Sequence, residues 1–459
     1  MRIAETKPLF AWDCLEDSPS LRTVRRFLEA VPDAELLESL RRARGKGRND
    51  YAVETCWGVM LLTVLLRHAT IESCLGELRR NAALRGLIGI DSESAVPKKW
   101  NMSRFLTVLG SAPHREALRE VFDRMVRPLG AVVEDLGRHT AGDSSGLSCR
   151  GQARGNGEGL PEPSGGRKEY VDESGTVVKA HEWFGYKFHL LVDARHEVAL
   201  AWRISATGRG DNEELPALVE QARANLPEGR MKTLAYDKAA DDGCVHKTLA
   251  SAGIKPVIQN RSLWKDELER MLPGHDGSSN VVYDEAGTVY CYDKASDPPV
   301  RHRMSYVGRE PSRGTLKYRC PAMHEGWTCP SARRCNDGLS YGKCVRIRRD
   351  IDLRRFPPIP RATKQFERLY RGRTAVERVN GRIKVFWGAD DGNVTGAARF
   401  HALLGVVMVV HVGLATLLAA SPRREGTLGR MRLSPVARAL QEKPKALSPD
   451  CIGIEGRNG

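Results

Sequence analysis

Hydrophobic positions in the first 130 residues recur at spacings of three and four, which is the period of an amphipathic α-helix. The clearest segments are LRTVRRFLEAVPDAELLESLRRA and AVETCWGVMLLTVLLRHATIESCLGELRRN. Basic runs such as RRARGKGR lie between them, and a solvated helix face explains such a run as well as a nucleic-acid contact does. The pattern therefore predicts a helical N-terminal domain over residues 1–130.

Near residue 138 the pattern changes to short strands that alternate with helices. The predicted strands are RHTAGDSSGLS, YKFHLLVDA, EVALAWRISAT, MKTLAYDKA and KPVIQN, and the predicted helices are DNEELPALVEQARANL and DDGCVHKTLASAG. Asp211 is the expected N-cap of the first helix, and Gly253 ends the second. Gly151 to Lys168 is predicted to be a Gly/Pro-rich mobile loop. This order of elements predicts a mixed α/β layer over residues 138–261.

Residues 262–355 interrupt that layer. Two hairpin patterns, VVYDEAGTVYCYD and HRMSYVGREPSRGTLKYRC, predict a β-rich insertion that contains cysteines. The connector FPPIPR then excludes helix, because proline restricts both its own backbone and that of the preceding residue. Residues 356–420 are expected to complete the α/β domain, and residues 421–459 to form a poorly ordered basic tail.

The last apolar run, His401 to Ala420, is about as long as a membrane span. It contains two histidines, however, and no second span accompanies it. A helix that is apolar on all sides is also typical of the core of a large soluble protein. We therefore expect a buried helix with His401 and His411 as core histidines, and no membrane.

Composition and net charge indicate which class of molecule the protein binds. The chain has 459 residues, of which 41% are hydrophobic and 28% charged, as in a soluble protein of two or three domains. Its net charge of +15 favours a polyanionic partner, with nucleic acid first. The N-terminus has no apolar signal core, and eleven cysteines are spread thinly along the chain. These features predict a cytoplasmic protein.

The segment YRGRTAVERVNGRIK gathers cations around one acid. Arg361 to Lys384 contains eight Lys or Arg residues against two Glu, so a helix here cannot neutralise itself. An ordinary i,i+4 surface pair accounts for one ion pair and leaves the other cations unexplained. If the segment forms one regular helix, four functional side chains share an arc of roughly 60°: Tyr370, Arg373, Glu377 and Lys384. Gly381 lies near this arc of the helix surface, and the absence of a side chain there allows a bulky partner to approach.

These four residues also carry a family resemblance. Their gaps of two, three and six residues resemble the Y-R-E-K signature of DDE insertion-sequence transposases. That family has an RNase H-like α/β catalytic fold with two further acids on early strands. Asp143 and Asp237 match those acids, at the expected ends of the first and fourth strands. The resemblance covers roughly residues 140–260 and 360–420, and it extends more loosely to the N-terminal region.

The match departs from the family pattern after the second acid. The family often has an aromatic residue three positions beyond that acid, where this chain has Ala240. Asp241 and Asp242 are rival carboxylates in the same segment. We read Asp242 as a helix cap and favour Asp237 as the site residue.

The resemblance implies a complete reaction centre. Its catalytic and metal-binding residues are Asp143, Asp237 and Glu377, its cofactors are two Mg²⁺ or Mn²⁺ ions, and its DNA-binding residues are Tyr370, Arg373 and Lys384. Carboxylate oxygens suit these hard cations, and arginine and lysine suit phosphate. The implied partners are double-stranded DNA, at transposon ends and target, and a second copy of the chain. The N-terminal domain would bind the ends or dimerise.

The expected function is metal-dependent cleavage of DNA at transposon ends and strand transfer into target DNA. Two alternatives remain at this point. An RNase H-like nuclease would cut DNA without joining it, and a transposase-derived DNA-binding protein would do neither.

A second candidate metal site lies in the insertion. Cys320, Cys329, Cys335 and Cys344 follow one another at spacings of x8, x5 and x8, with Cys291 nearby. These spacings are wider than those of a typical zinc knuckle. Zn²⁺ binding and free buried thiols are therefore both consistent with the sequence.

Overall fold

The fold is described here from a computed structural model. It describes residues 19–45, 50–150, 159–172, 176–265, 268–272, 280–420 and 427–428. The predicted basic tail therefore lies almost entirely outside the described residues.

The N-terminal part is helical, as its hydrophobic period predicts. Its helices are α1 (Pro19–Ala30), α2 (Ala34–Arg44), α3 (Val53–Leu65), α4 (Ile71–Arg80), α5 (Ala82–Gly86), α6 (Lys99–Leu109) and α7 (His114–Val132). α2 buries one apolar stripe, Leu36, Leu37 and Leu40, whereas α3 is buried along nearly its whole length. α3 is thus an interior helix, whereas α2 lies with one side against the core.

A mixed sheet follows the helices. Its strands are β1 (His139–Ser148), β2 (Ser164–Val171), β3 (Val177–Asp193), β4 (Ala199–Ser205), β5 (Thr233–Tyr236) and β6 (Lys255–Ile258). β1 pairs antiparallel with β3 and parallel with β5, and β6 continues the parallel side. Helices α8 (Asp211–Asn225) and α9 (Gly243–Ser251) connect the strands. This arrangement confirms the expected mixed α/β layer.

β3 is much longer than the sequence pattern predicted. Its second half lies between β1 and β4, and its first half pairs with β2 as an extended hairpin. The predicted loop from Gly151 to Lys168 is therefore wrong over Ser164 to Lys168, which belongs to β2. Residues 151–158 lie outside the described part. The glycines of this segment read locally as a loop, but pairing with β3 determines the strand.

The N-cap of α8 also differs from the prediction. Gly210 has the extended backbone of a cap, with φ −73° and ψ 148°, and its N–H donates to Glu213 Oε1 at 3.2 Å. Asp211 is instead the first helical residue, and its side chain is buried. The carboxylate of Asp211 is consequently free for contacts elsewhere in the fold.

The insertion forms two small sheets with a core of their own. β7 (Glu269–Met271), β8 (Val281–Asp284), β9 (Val289–Asp293) and β10 (Val300–Arg303) form one sheet, and β11 (Ser305–Glu310), β12 (Thr315–Arg319) and β13 (Cys344–Arg348) form the other. Two short helices, α10 (Pro321–Glu325) and α11 (Ala332–Asn336), lie between β12 and β13. Val281, Leu316 and Ile347 are among the buried residues of its core. Both predicted hairpins and the β-rich insertion are confirmed.

The C-terminal part returns to the main core. It comprises α12 (Lys364–Arg371), α13 (Thr374–Gly381), a π-helical turn (Arg382–Phe386) and α14 (Ala397–Ala419). Among the described residues, α14 is long and apolar enough to span a membrane, but 78% of its most apolar stretch is buried inside the protein. It packs against α3, α6 and α7. α14 is therefore the central core helix that the two histidines indicated.

The histidines of α14 behave as core residues. His411 is fully buried, and its Nε2 accepts a hydrogen bond from the backbone N–H of Ala199 at 3.2 Å. Burial lowers the pKa of both His401 and His411 to about 3, because a charged imidazolium is unfavourable in an apolar core. Both side chains are neutral at physiological pH, and they join helix and sheet into one core.

Candidate active site

Asp143 and Asp237 come from neighbouring parallel strands. β1 pairs with β5 through Ala141 opposite Ala235, and each acid lies two residues further along the chain. The predicted position of Asp143 at the end of the first strand is wrong, because β1 continues to Ser148 in its pairing with β3. Asp237 directly follows β5, as predicted. The two carboxylates therefore lie side by side where the parallel pairing ends.

The glycine that precedes Asp143 is required by packing. A Cβ on Gly142 would lie 2.5 Å from ring atom Cε2 of Tyr236, closer than side chains approach in folded proteins. The Tyr236 ring is fully buried against β1 at this point. The residue pair Gly142–Asp143 thus allows the end of β5 to pack closely beside the acid.

Asp143 lies in a strongly perturbed environment. Burial first, and the neighbouring Asp237 carboxylate second, raise the pKa of Asp143 to about 6. Lys168 and Arg373 oppose this shift, and the Ser144 N–H donates to Asp143 Oδ1 at 2.9 Å. Ionisation of Asp143 is therefore unfavourable in this buried place beside a second carboxylate, and a bound cation would favour the charged form.

The two rival carboxylates after Asp237 are engaged elsewhere. Asp241 is buried and pairs with Arg354 and Arg361, each at 2.9 Å. Asp242 caps α9 by accepting from the Cys244 N–H at 2.8 Å, as predicted. Asp237 itself only accepts from a nearby backbone N–H, at 2.9 Å. Of these three acids, Asp237 is the one beside Asp143.

The segment from Tyr370 to Lys384 does not form the single regular helix on which the predicted arc of four side chains depends. α12 ends at Arg371, and α13 begins at Thr374 after a tight turn at Gly372. A Cβ on Gly372 would lie 3.0 Å from the Leu369 carbonyl oxygen, so glycine suits this break. After Gly381 the backbone continues as the π-helical turn Arg382–Phe386. The break and the turn both shift side chains from the regular spacing of 100° per residue.

Arg373 connects two of the predicted acids. Its Nη1 lies 3.4 Å from Asp143 Oδ2, and its Nη2 lies 2.7 Å from Glu377 Oε1. Asp143 belongs to β1 and Glu377 to α13, which packs against β1 and β3. One guanidinium thus occupies the position between carboxylates from two distant parts of the chain.

Lys384 reaches the same strand from the other side. Its Nζ donates to Ser145 Oγ at 3.1 Å and to the Gly146 carbonyl oxygen at 2.6 Å, and lies 3.2 Å from Asp390 Oδ2. Lys384 lines the open cleft that contains Asp143 and Asp237. Its ammonium is therefore held at the cleft wall by two residues of β1.

Tyr370 adjoins the group through Arg373. The guanidinium lies 5.9 Å from the centre of the Tyr370 ring, which stacks on Phe366. Burial first raises the pKa of Tyr370, and the neighbouring Asp237 raises it further. The phenol consequently remains a hydrogen-bond donor at neutral pH, beside the acids.

Residues 136–412 match the family described as the transposase DDE domain. The chain belongs to the DDE transposase family. The match covers more than half of the chain and includes the mixed sheet, the insertion and all of the predicted acids. The resemblance noted in the sequence and the expected RNase H-like fold class are confirmed. A comparison with curated proteins found no match.

The structure of this transposase does not bring all three acids into one cleft. Asp143 and Asp237 line the cleft, whereas Glu377 is absent from its lining and its side chain is 51% exposed. Within the described ranges, no three His, Cys, Asp or Glu side chains are close enough together to hold a metal ion as they stand. Glu377 is therefore linked to the acid pair through Arg373 only.

The residues present nevertheless fit divalent cations. Oxygen ligands of this type suit Mg²⁺ or Mn²⁺, and the raised pKa of Asp143 shows that its carboxylate is only partly stabilised by the cations now around it. Arg373 serves as a stand-in cation between Asp143 and Glu377.

Sequence reasoning gave too little weight to Asp211. Its carboxylate accepts from Ser144 Oγ at 2.9 Å and pairs with Lys187 Nζ at 2.7 Å, and it lines the same cleft. His189 Nδ1 is 3.6 Å away, but burial lowers the pKa of His189 to about 4, so this contact is not a charged pair. Asp211 thus supports the strand residue next to Asp143. Its place at the start of a helix made capping the natural reading.

The hairpin of β2 and β3 forms one wall of the cleft. Lys168, Lys179 and His181 line it, and Trp183 lies so close to β1 and β2 that a Cβ on Gly146 or Gly166 would be 2.4 Å from its ring. The packing of Trp183 therefore directs a basic arm over the acids. The β-branched and aromatic residues of TVVKAHEWFG, directly before YKFHLLVDA, are the signal that would have extended this strand.

Proposed function

We propose that this transposase cuts DNA at transposon ends and joins the freed ends to target DNA. Asp143, Asp237 and Glu377 would bind the two divalent cations, and Tyr370, Arg373 and Lys384 would hold phosphates. The observation that carries the proposal is the pair Asp143 and Asp237 beside the point where the parallel pairing of β1 and β5 ends, with Arg373 between Asp143 and Glu377.

The reaction consists of two phosphoryl transfers. A water oxygen first forms a bond to phosphorus at the transposon end, and the 3′-oxygen leaves to become a free 3′-hydroxyl. That hydroxyl then attacks a phosphorus of target DNA, whose own 3′-oxygen leaves, so no covalent bond to the protein forms. When bound, the two cations would activate the nucleophile and stabilise the leaving oxygen.

The protein side chains divide the remaining tasks. Asp143 and Asp237 anchor the cations on the rigid sheet, and Glu377 completes the ligand set from α13. Arg373 gives up its carboxylates and forms a bidentate contact with a phosphate, for which its planar fork is suited. Lys384, held by β1, supplies a point charge at the cleft wall.

DNA binding would extend beyond the acids. The basic arm contributes Lys168, Lys179 and His181, and the net charge of +15 favours a long phosphate backbone contact. Because strand transfer needs two ends at once, we propose a homodimer in the end complex, with the N-terminal helical domain binding ends or the second copy.

The function is tested with a linear donor that carries the two transposon ends, together with a supercoiled target plasmid. In Mg²⁺ we expect nicked donor ends and joined donor–target products, and neither product in EDTA. Cut ends without joined products would support a nuclease instead. Failure to cut any donor while DNA is bound would support a DNA-binding protein without catalysis.

The Arg373→Ala variant should cut donor DNA roughly 100-fold more slowly, as when one preorganised donor is removed from a reaction centre. The guanidinium contributes a fork to a phosphate, and its removal also leaves the Asp143 carboxylate without its counter-ion. Initial rates of strand cleavage at fixed Mg²⁺ and salt measure the effect.

Arg371→Ala is the matched control, because Arg371 pairs with Glu367 one turn earlier on α12 and is largely exposed. Its cleavage rate should stay within a few-fold of wild type, since exposed ion pairs contribute little. Equal rates for both variants would contradict the phosphate role of Arg373.

A further inference from the structure

Four cysteines of the insertion line one small enclosed cavity. They come from separate parts of the chain: Cys291 on β9, Cys320 at the end of β12, Cys329 in the following loop and Cys335 on α11. The free volume of about 20 Å³ is enough for one water-sized particle. The cavity is therefore large enough for a single metal ion, and cysteines line it on several sides.

The segment that carries three of these cysteines has almost no apolar core. Between Cys320 and Lys343 the two helices are five residues each, far too short to be stable alone. Its buried residues are small or polar, and large side chains such as Met323, Leu339 and Tyr341 are exposed. Burial of apolar surface therefore cannot hold this segment in place, and small elements of this kind generally require a cross-link or a metal.

Hydrogen-bond donors already point at the sulfur atoms. Asn336 Nδ2 donates to Cys320 Sγ at 3.7 Å, and Asn280 Nδ2 donates to Cys335 Sγ at 3.6 Å. Lys343 Nζ in turn donates to Asn280 Oδ1 at 3.0 Å, which orients that amide. Donors in this second layer stabilise thiolate sulfur and are typical of structural metal sites.

The thiols are also electrostatic neighbours. Burial first, and the other three cysteines of the cavity second, raise the pKa of Cys291 to about 12. Four thiols this close cannot all ionise unless a cation joins them. Soft sulfur ligands select Zn²⁺ over the hard cations that suit the carboxylates of the cleft.

We propose that Cys291, Cys320, Cys329 and Cys335 bind one structural Zn²⁺ ion that holds the segment between β12 and β13 in place. As they stand in the described part of the chain, no three potential ligands form a coordinating set, so binding requires rotation of the thiol side chains into their shared cavity. Each ligating thiol gives its proton to solvent, and a tetrahedral Zn–S₄ centre forms.

The proposed set differs from the one that the sequence suggested. Cys344 lies on β13 opposite Arg319, its Sγ contacts the Gly342 carbonyl oxygen at 3.6 Å, and it is absent from the lining of the cavity. Cys291 takes its place. His302 also lines the cavity, but its ring packs on Trp327 with the ring centres 4.8 Å apart. The proposal does not depend on the reaction at Asp143.

Metal content of the full chain tests the proposal. Wild-type protein expressed with added Zn²⁺ and purified without chelator should contain about one zinc ion per chain. The Cys291→Ser variant should lose at least about tenfold in zinc content, as expected when a direct ligand is removed. Cys344→Ser is the matched control in the same insertion and should keep its zinc.

Wild-type protein without zinc, or with an oxidised disulfide between two of the four cysteines, would overturn the proposal. So would the reverse result, with zinc kept by Cys291→Ser and lost by Cys344→Ser. A measurement on unmutated protein guards against misfolded variants: Co²⁺ exchanged into wild type should give the absorption bands of tetrahedral tetrathiolate coordination. A spectrum of octahedral oxygen coordination would contradict the Zn–S₄ centre.

Discussion

The Glu377→Gln variant is expected to lose DNA strand cleavage by more than about 100-fold while it still binds DNA. Replacement of residues that only support metal ligands costs about 10- to 100-fold in activity, so loss of a direct ligand should cost more. Glutamine keeps the shape of the side chain and removes one negative charge, so binding to polyanionic DNA should not weaken. Cleavage of labelled transposon-end DNA in Mg²⁺ and a parallel binding titration measure the two effects.

Glu367→Gln provides the comparison for this experiment. Glu367 lies on α12, is exposed and pairs with Arg371 four residues along, just as Glu377 pairs with Arg373. Its replacement should leave cleavage unchanged. If Glu377→Gln cut DNA at the wild-type rate in Mg²⁺, the metal-binding role of Glu377 would have to be abandoned, even though the acid pair on the sheet would remain.

The second large effect is expected at Asp237. It should distinguish the role of Asp237 in cleavage from the role of Asp241 in stability, although the two acids are only four residues apart. Asp237→Asn should lower cleavage by more than about 100-fold with little change in stability. The amide oxygen of asparagine can still accept the hydrogen bond from the Ala239 N–H. Cleavage rates and urea unfolding of the same preparation report the two quantities.

Asp241→Asn should show the opposite behaviour. Asp241 is buried and forms ion pairs with Arg354 and Arg361, so neutralising it leaves two largely buried cations without their counter-ion. Removal of one partner of a buried pair costs about 3–5 kcal/mol in the free energy of unfolding. We expect the midpoint of urea unfolding to fall strongly.

Asp242→Asn completes the series. Asp242 caps α9, and asparagine is as good an N-cap as aspartate, so neither activity nor stability should change. Full cleavage by Asp237→Asn together with loss of cleavage by a folded Asp242→Asn would transfer the catalytic role and contradict our choice among the three acids.

Local sequence patterns predicted most of the fold correctly. The helical period before residue 130, the strands around YKFHLLVDA and both insertion hairpins correspond to observed elements. Such patterns work because the side that a residue presents to a core depends on the period of its own element. They failed at Ser164 to Lys168, where glycines suggested a loop and pairing with β3 produced a strand.

The helical stripe shows the limit of such reasoning at the site. The predicted arc of four residues required one regular helix. The helix is instead interrupted at Gly372, and a π-helical turn follows Gly381. The stripe nevertheless selected useful residues, because Arg373 and Lys384 both contact β1 or its acid. A Cβ on Gly381 meets nothing within 4 Å among the residues that the structure describes, so packing within that part of the chain does not explain this glycine.

The sequence by itself predicted most of the element types, the buried nature of α14 and the family, and it proposed Asp143 and Asp237 as site acids. These properties follow from the order and spacing of residues within single elements. Only the tertiary structure decided that Arg373 lies between Asp143 and Glu377, that Asp211 enters the cleft, and that Cys291 rather than Cys344 joins the thiol cavity. The physical reason is that the period of hydrophobic residues shows only which side of an element is buried. Contacts between distant elements depend on how those buried sides pack together.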